Sequence, residues 1–242
     1  MSDAKLAAVV ASINAAFRSS EHDIEQDWRR SRSQSGYWAM VDLRSSASYR
    51  QDAGEGQAYA RALVFLLALD DLCAAYGGGD AGPVVFKRLG DGALIYSSDF
   101  RPLFEIAVVL KALAVQWDPL TTDGRSSAFA YRFAVTTGEC TRVGQEAPAD
   151  FLGRPLDRVA RLSALDGEEG TILQMDSAIR RNGWAAIEHD YPFAKVGPDR
   201  RLPEALLKTG ESVPFACGIS VRLDEALGFR DFFNEIRSAF AR

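Results

Sequence analysis

The chain has 242 residues, enough for one domain with decorations and a substantial core. Its net charge of −5 argues against a protein that coats nucleic acid, which needs a basic field. With 2 histidines and 3 cysteines lacking a C-x-x-C pair, zinc sites and Ser-His-Asp triads find no support. Cys73, Cys140 and Cys217 read instead as reduced, buried residues of a cytoplasmic protein.

In chain order, the stretch "LAAVVASINAAF" places apolar residues at 6, 9, 10, 13, 16 and 17, one face of a helix. It is too short to span a bilayer and no cationic segment precedes it, so it reads as a packing helix within an N-terminal extension, residues 1–35. That extension ends in the loose, polar "RRSRSQSG". "YWAMVDL" (37–43) is a buried strand by its aromatic and β-branched content, and "RSSAS" leads into a helix. Residues 55–76 form a long apolar helix ahead of a "GGGDAG" loop. "VVFKRL" and "ALIYSS" are two strands joined by a Gly-Asp-Gly turn. A second long helix is expected at 102–117, a loop at "DPLTTDGRSS", a strand at 131–139 and a helix at 153–165. "TILQM" reads as a strand, "SAIRRNG" as a short helix closed by its glycine, and "PFACGISV" as a late strand. The tail 224–241 is amphipathic and packs as a helix on the same domain, whose core spans 36–222. The order β-α-β-β-α-β is that of an α+β, ferredoxin-like split βαβ core with appended helices and strands.

Two aspartates in this arrangement carry chemistry. Asp42 closes the first strand and Asp91 sits at the tip of the hairpin, so a central first strand brings both to one edge of the sheet. Paired carboxylates from separated segments suit hard divalent cations that also hold phosphates. The Ser45-Ser46 turn entering a helix adds backbone N–H groups suited to phosphate. Each aspartate alone reads equally as a helix cap or a turn residue.

Five blocks in order resemble the catalytic domain of class III nucleotidyl cyclases: "MVDLRSS", "FKRLGDGALI", "YRFAVTTGEC", "DFLGRPLDRVARL" and "LLKTGESVPFACGI". The resemblance covers about residues 37–220 and implies a palm-like fold and cyclisation of a nucleoside triphosphate to a 3′,5′-cyclic monophosphate with release of pyrophosphate. It implies two Mg²⁺ or Mn²⁺ ions per site on Asp42 and Asp91, with the Leu43 carbonyl as a further ligand. It assigns Arg161 to the transition state, Lys208 to the triphosphate, and Lys87 with Asp150 to the base. Ser45 stands where the family has glycine. Asp157 stands where the family has a ribose-positioning asparagine, and an ionised aspartate can accept a hydrogen bond but not donate one. Taken without the family, Arg158 and Arg161 read as a solvated helix face, and Lys208 as a cation at a helix C-terminus.

A lysine donor with an aspartate acceptor is the adenylate-type pair, but it also complements uracil, whose O4 accepts while N3–H donates, and cytosine. The element Ser46–Arg50 is similar to the S-x-x-Y-R of bacterial pyrimidine cyclases in antiphage defence. Tyr49 would stack on a base and Arg50 meet phosphate or base. The resemblance implies a cytoplasmic homodimer with sites at the interface and no role for membrane or nucleic acid. A separate cyclic-nucleotide-binding effector would receive the product. UTP is the favoured substrate, with CTP next; adenylate cyclase and an inactive nucleotide-binding module are the alternatives.

Overall fold

Alternation of buried and outward side chains organises one mixed sheet, which a computed structural model describes over residues 11, 33–44, 46–77, 82–117, 130–143, 150–165, 171–201, 217–223 and 234. The first strand, β1 (Ser33–Leu43), lies antiparallel between β3 (Gly92–Ser97) and β4 (Tyr131–Val143). Beyond β3 comes β2 (Val84–Arg88); beyond β4 come β6 (Thr171–Asp176), β8 (Cys217–Leu223) and β7 (Ala194–Arg201). The strand order is β2-β3-β1-β4-β6-β8-β7, and the short β5 (Asp150–Leu152) pairs with β4. The expected central position of the first strand is therefore observed.

Helices cover both faces. Ala39, Val41 and Leu43 of β1 join a core with Phe65 and Leu69 of α2 (Glu55–Tyr76) and Leu103 and Phe104 of α3 (Phe100–Trp117). The alternate positions turn the other way. Met40 packs with Val159 and Leu162 of α4 (Arg154–Ser163), and Trp38 clusters with Tyr96, Phe86, Phe151 and Cys140. By the period of two, Asp42 belongs to the α4 side of the sheet. Each such large apolar side chain contributes about 1.5–3 kcal/mol when fully buried, so the sheet is a stiff platform for the groups at its edge.

Some elements differ from the sequence expectation. β1 starts at Ser33 rather than Tyr37, because the polar Ser33–Gly36 segment pairs with the long β4, from Ser33 opposite Thr141 onward. β5 and β7 were not expected. β7 contains Gly197 and Pro198, which sit where its register against β8 shifts between Val196 and Asp199, at the end of the strand order where proline is tolerated. The short helix α5 (Ser177–Ile179) is not closed by Gly183; it runs on into a π-helical turn at Arg180–Trp184. Gly183 is there for packing, since a Cβ would stand 2.9 Å from Ile179 Cγ2 and 3.0 Å from Phe100. Apart from single positions, the helices expected at 6–17 and 224–241 lie outside the described residues. Among those described, no helix is long and apolar enough to cross a membrane.

Candidate active site

The hairpin between β2 and β3 closes on itself through Leu89 and Gly92, whose N–H and carbonyl groups bond at 2.8 and 3.3 Å. Gly90 takes a φ of 70°, the left-handed conformation that a two-residue turn needs. Gly92 answers a different demand. It lies opposite Asp42, and a Cβ there would stand 2.5 Å from the Val41 carbonyl oxygen and 2.9 Å from Asp42 Cβ. Only glycine lets the two aspartate-bearing segments approach this closely. The Leu43 N–H then reaches the Asp91 carbonyl at 3.4 Å.

Asp42 and Asp91 are thereby brought together, as expected from the sequence. Burial pushes the Asp42 carboxyl up to about 6; the Arg132 and Arg44 charges oppose this and the Asp91 carboxylate adds to it. Arg132 Nη1 stands 3.7 Å from Asp42 Oδ2. Asp42 Oδ1 is buried and has no hydrogen-bond partner, an acceptor left over in a place water does not reach. The Ser46 hydroxyl, at the start of α1 (Ser46–Ala53), donates to the Asp91 carboxylate and lies 3.2 Å from the Leu43 carbonyl oxygen. Two carboxylates, one of them with a spare buried oxygen, and a main-chain carbonyl form a donor set that fits a hard divalent cation. Among the described residues no three His, Cys, Asp or Glu side chains converge.

The Lys87–Asp150 pair also forms. Lys87 Nζ donates to Asp150 Oδ2 at 2.8 Å across the gap between β2 and β5. This bond, followed by one from the Phe151 N–H, holds the Asp150 carboxyl below its usual range. The two side chains are 46% and 52% exposed. An exposed pair is worth at most about 1 kcal/mol, so both groups can be exchanged for a ligand's. The neighbouring rings of Phe86 and Phe151 meet edge-on at 5.1 Å, which fixes the strands that carry the pair.

On α4, Asp157 and Arg161 are joined to each other by an ion pair. Arg158 is not on a solvated face, contrary to the reading without the family. It pairs with Asp176, a fully buried carboxylate that also accepts from the Thr136 hydroxyl at 2.9 Å and from the Ala178 N–H at 2.7 Å. That network ties α4 to β4 and β6.

The Tyr49 ring lies under the Arg61 guanidinium at 4.5 Å, and Arg50 reaches Glu55 at 3.6 Å. Ser45 and Lys208 lie outside the described residues. Sequence reasoning passed over Arg61, Arg132 and the Arg158–Asp176 pair. For Arg61 a signal existed: an arginine heading the buried stripe Arg61, Phe65, Leu69 and Cys73 of a helix. Cys73 and Cys140 are buried free thiols, pushed up by burial to about 12 and about 11, which agrees with a packing role.

No protein-family model and no curated protein matches the chain. Solved structures do match. The adenylyl cyclase CyaB from P. aeruginosa is 16% identical with a TM-score of 0.57, over 81% of this chain and 100% of that one. The guanylyl cyclase Cya2 is 14% identical with a TM-score of 0.54, over 82% and 97%. A dimeric guanylyl cyclase domain, from the RhoGC fusion protein of the aquatic fungus Blastocladiella emersonii, is 10% identical with a TM-score of 0.53, over 79% and 98%. At such identities the likeness establishes the architecture: this chain has the mixed α+β, palm-like fold of class III cyclase domains.

Proposed function

We propose that the protein is a nucleotidyl cyclase. It would convert a pyrimidine nucleoside triphosphate, UTP ahead of CTP, to the 3′,5′-cyclic monophosphate and pyrophosphate, working as a homodimer with sites at the interface. The observation that carries this reading is the meeting of Asp42 and Asp91 around a glycine that permits it, with a buried Asp42 oxygen left without a partner. The cyclase fold supplies the context, and the pyrimidine and antiphage-defence assignment is supported by the sequence likeness of Ser46–Arg50 to the S-x-x-Y-R element alone, whatever the role of the Tyr49 ring.

In the reaction the ribose 3′-oxygen bonds to the α-phosphorus, the bond from that phosphorus to the oxygen bridging to the β-phosphate breaks to release pyrophosphate, and the 3′-hydroxyl proton passes to solvent water. Asp42, Asp91 and the Leu43 carbonyl would hold divalent ions, Mg²⁺ or Mn²⁺, which supply acidity to the hydroxyl and neutralise phosphate charge. The start of α1 offers N–H groups to the polyphosphate. Arg161 meets charge growing on the phosphoryl oxygens, and Lys208 is assigned to the triphosphate. Lys87 donates to uracil O4 while Asp150 accepts from N3–H. The catalytic domain would span β1 to β8, from Ser33 to Leu223 rather than the 36–222 expected from the sequence. The product would act on a separate cyclic-nucleotide-binding effector in the cytoplasm.

A second reading, adenylate cyclase, rests on the same Lys87–Asp150 contact, whose donor and acceptor also complement adenine. Incubating the protein with each of the four triphosphates and Mn²⁺, and measuring pyrophosphate and cyclic product, separates the two. Product from UTP or CTP supports the pyrimidine reading; product from ATP alone replaces it with the second. Release from none leaves a nucleotide-binding module without turnover.

A further inference from the structure

Arg61 is a cation in the core, 5% exposed, at a position whose stripe partners Phe65, Leu69 and Cys73 are apolar or nearly so. An aliphatic residue would fill the space without the cost of burying a guanidinium, so the charge and donors need a purpose. Its Nη2 donates to the Arg44 carbonyl at 3.0 Å, and its face is covered by the Tyr49 ring at 4.5 Å. Arg44 stands in the segment that leaves β1 and enters α1. On one side of it Leu43 binds the Asp91 main chain, and on the other Ser46 binds the Asp91 carboxylate. Burial draws the guanidinium pKa down, while Tyr49 and Asp91 hold it up.

We propose that Arg61 is a positioning residue for the triphosphate-binding turn, pinning Arg44 so that Leu43 and Ser46 meet Asp91, and that Tyr49 shields Arg61 rather than stacking on the base. This deepens the cyclase reading and rests on it. An arginine suits the task because one planar fork donates to the carbonyl and stacks on a ring at the same time; lysine can do only the first.

The test uses the full chain as wild type, Arg61→Met, Arg61→Lys, Tyr49→Phe, Tyr49→Ala and the Arg61→Met/Tyr49→Ala double variant. Two readouts are taken: Mn²⁺ binding by electron paramagnetic resonance with 3′-deoxy-UTP, which lacks the attacking hydroxyl, and kcat and KM with each triphosphate. Arg61→Met should weaken Mn²⁺ binding and raise KM about 10–100-fold, the usual range for groups that orient metal ligands. Arg61→Lys should recover part of this, and Tyr49→Phe nearly all of wild type. Tyr49→Ala should be intermediate, and the double variant no worse than Arg61→Met. Losses that multiply in the double variant, with an altered ranking of the four triphosphates, would show that Tyr49 meets the base and overturn the inference. So would unchanged Mn²⁺ affinity and KM in Arg61→Met with only a lower melting temperature. If Arg61→Met does not fold, Arg61→Lys and Tyr49→Ala decide by the same readouts. Should wild type turn over none of the triphosphates, the cyclase reading fails while Mn²⁺ binding still decides the role of Arg61.

Discussion

Asp157 and Arg161 face each other across one turn of α4, the guanidinium donating to the carboxylate. The arginine assigned to the transition state thus already holds an anion, and an incoming phosphate must displace it. The Arg161 side chain is 12% exposed and that of Asp157 45%, so the pair is half-buried rather than solvated; if its loss frees Arg161 at about 1 kcal/mol, Asp157→Asn should raise kcat/KM by up to about fivefold. Steady-state kinetics would measure it. A large fall would show that Asp157 itself meets the ribose.

Asp42 gives a pH prediction with a definite sign. Its carboxyl sits at about 6 in the folded protein, chiefly through burial, against about 3.9 in an unfolded chain. The folded state therefore binds a proton that the unfolded state has lost, and this stabilisation, complete below about 4, disappears as pH rises through about 6. Free of metal, wild type should lose melting temperature relative to Asp42→Asn between about pH 4 and about pH 7. A constant difference across that range would contradict the assignment. Metal binding runs the other way: it needs the ionised carboxylate, so Mn²⁺ affinity should fall below about pH 6.

Lys87 and Asp150 form a base reader if a ligand takes over their mutual contact. Hydrogen bonds to charged groups contribute about 1.5–3 kcal/mol, so Lys87→Met should cut kcat/KM for the preferred triphosphate tenfold or more. The other three should change less, and discrimination should narrow. Equal losses with all four would assign Lys87 to phosphate instead.

Asp176 is expected to govern stability rather than specificity. Its carboxylate is fully buried between Arg158, the Thr136 hydroxyl and the Ala178 N–H. Asp176→Ala removes the buried carboxylate that pairs with Arg158, at a cost of about 3–5 kcal/mol. Urea unfolding should show that loss. A variant as stable as wild type would mean the network is dispensable.

Asp42 and Asp91 were legible because their signals are local. A strand ending in Asp42 and a Gly-Asp-Gly hairpin carrying Asp91 are both short-range patterns, and the strand order then brings them together. Arg61 was not legible in the same way, because a single arginine in a long helix reads as a solvated position; only packing under Tyr49 and against Arg44 buries it. β7 was hidden by its Gly-Pro-Asp content, which local rules assign to loop, and β5 by having too few residues to show a period. Arg158 misled for a third reason: its partner Asp176 lies on β6, outside the helix and beyond any helical spacing.

The central claim, cyclisation on paired aspartates, is tested most directly by ³¹P nuclear magnetic resonance of the protein with UTP and Mn²⁺, wild type beside Asp91→Ala. The account predicts that wild type yields signals of a cyclic monophosphate and pyrophosphate, while a folded Asp91→Ala yields neither. An Asp91→Ala variant that forms the cyclic product at the wild-type rate would contradict it.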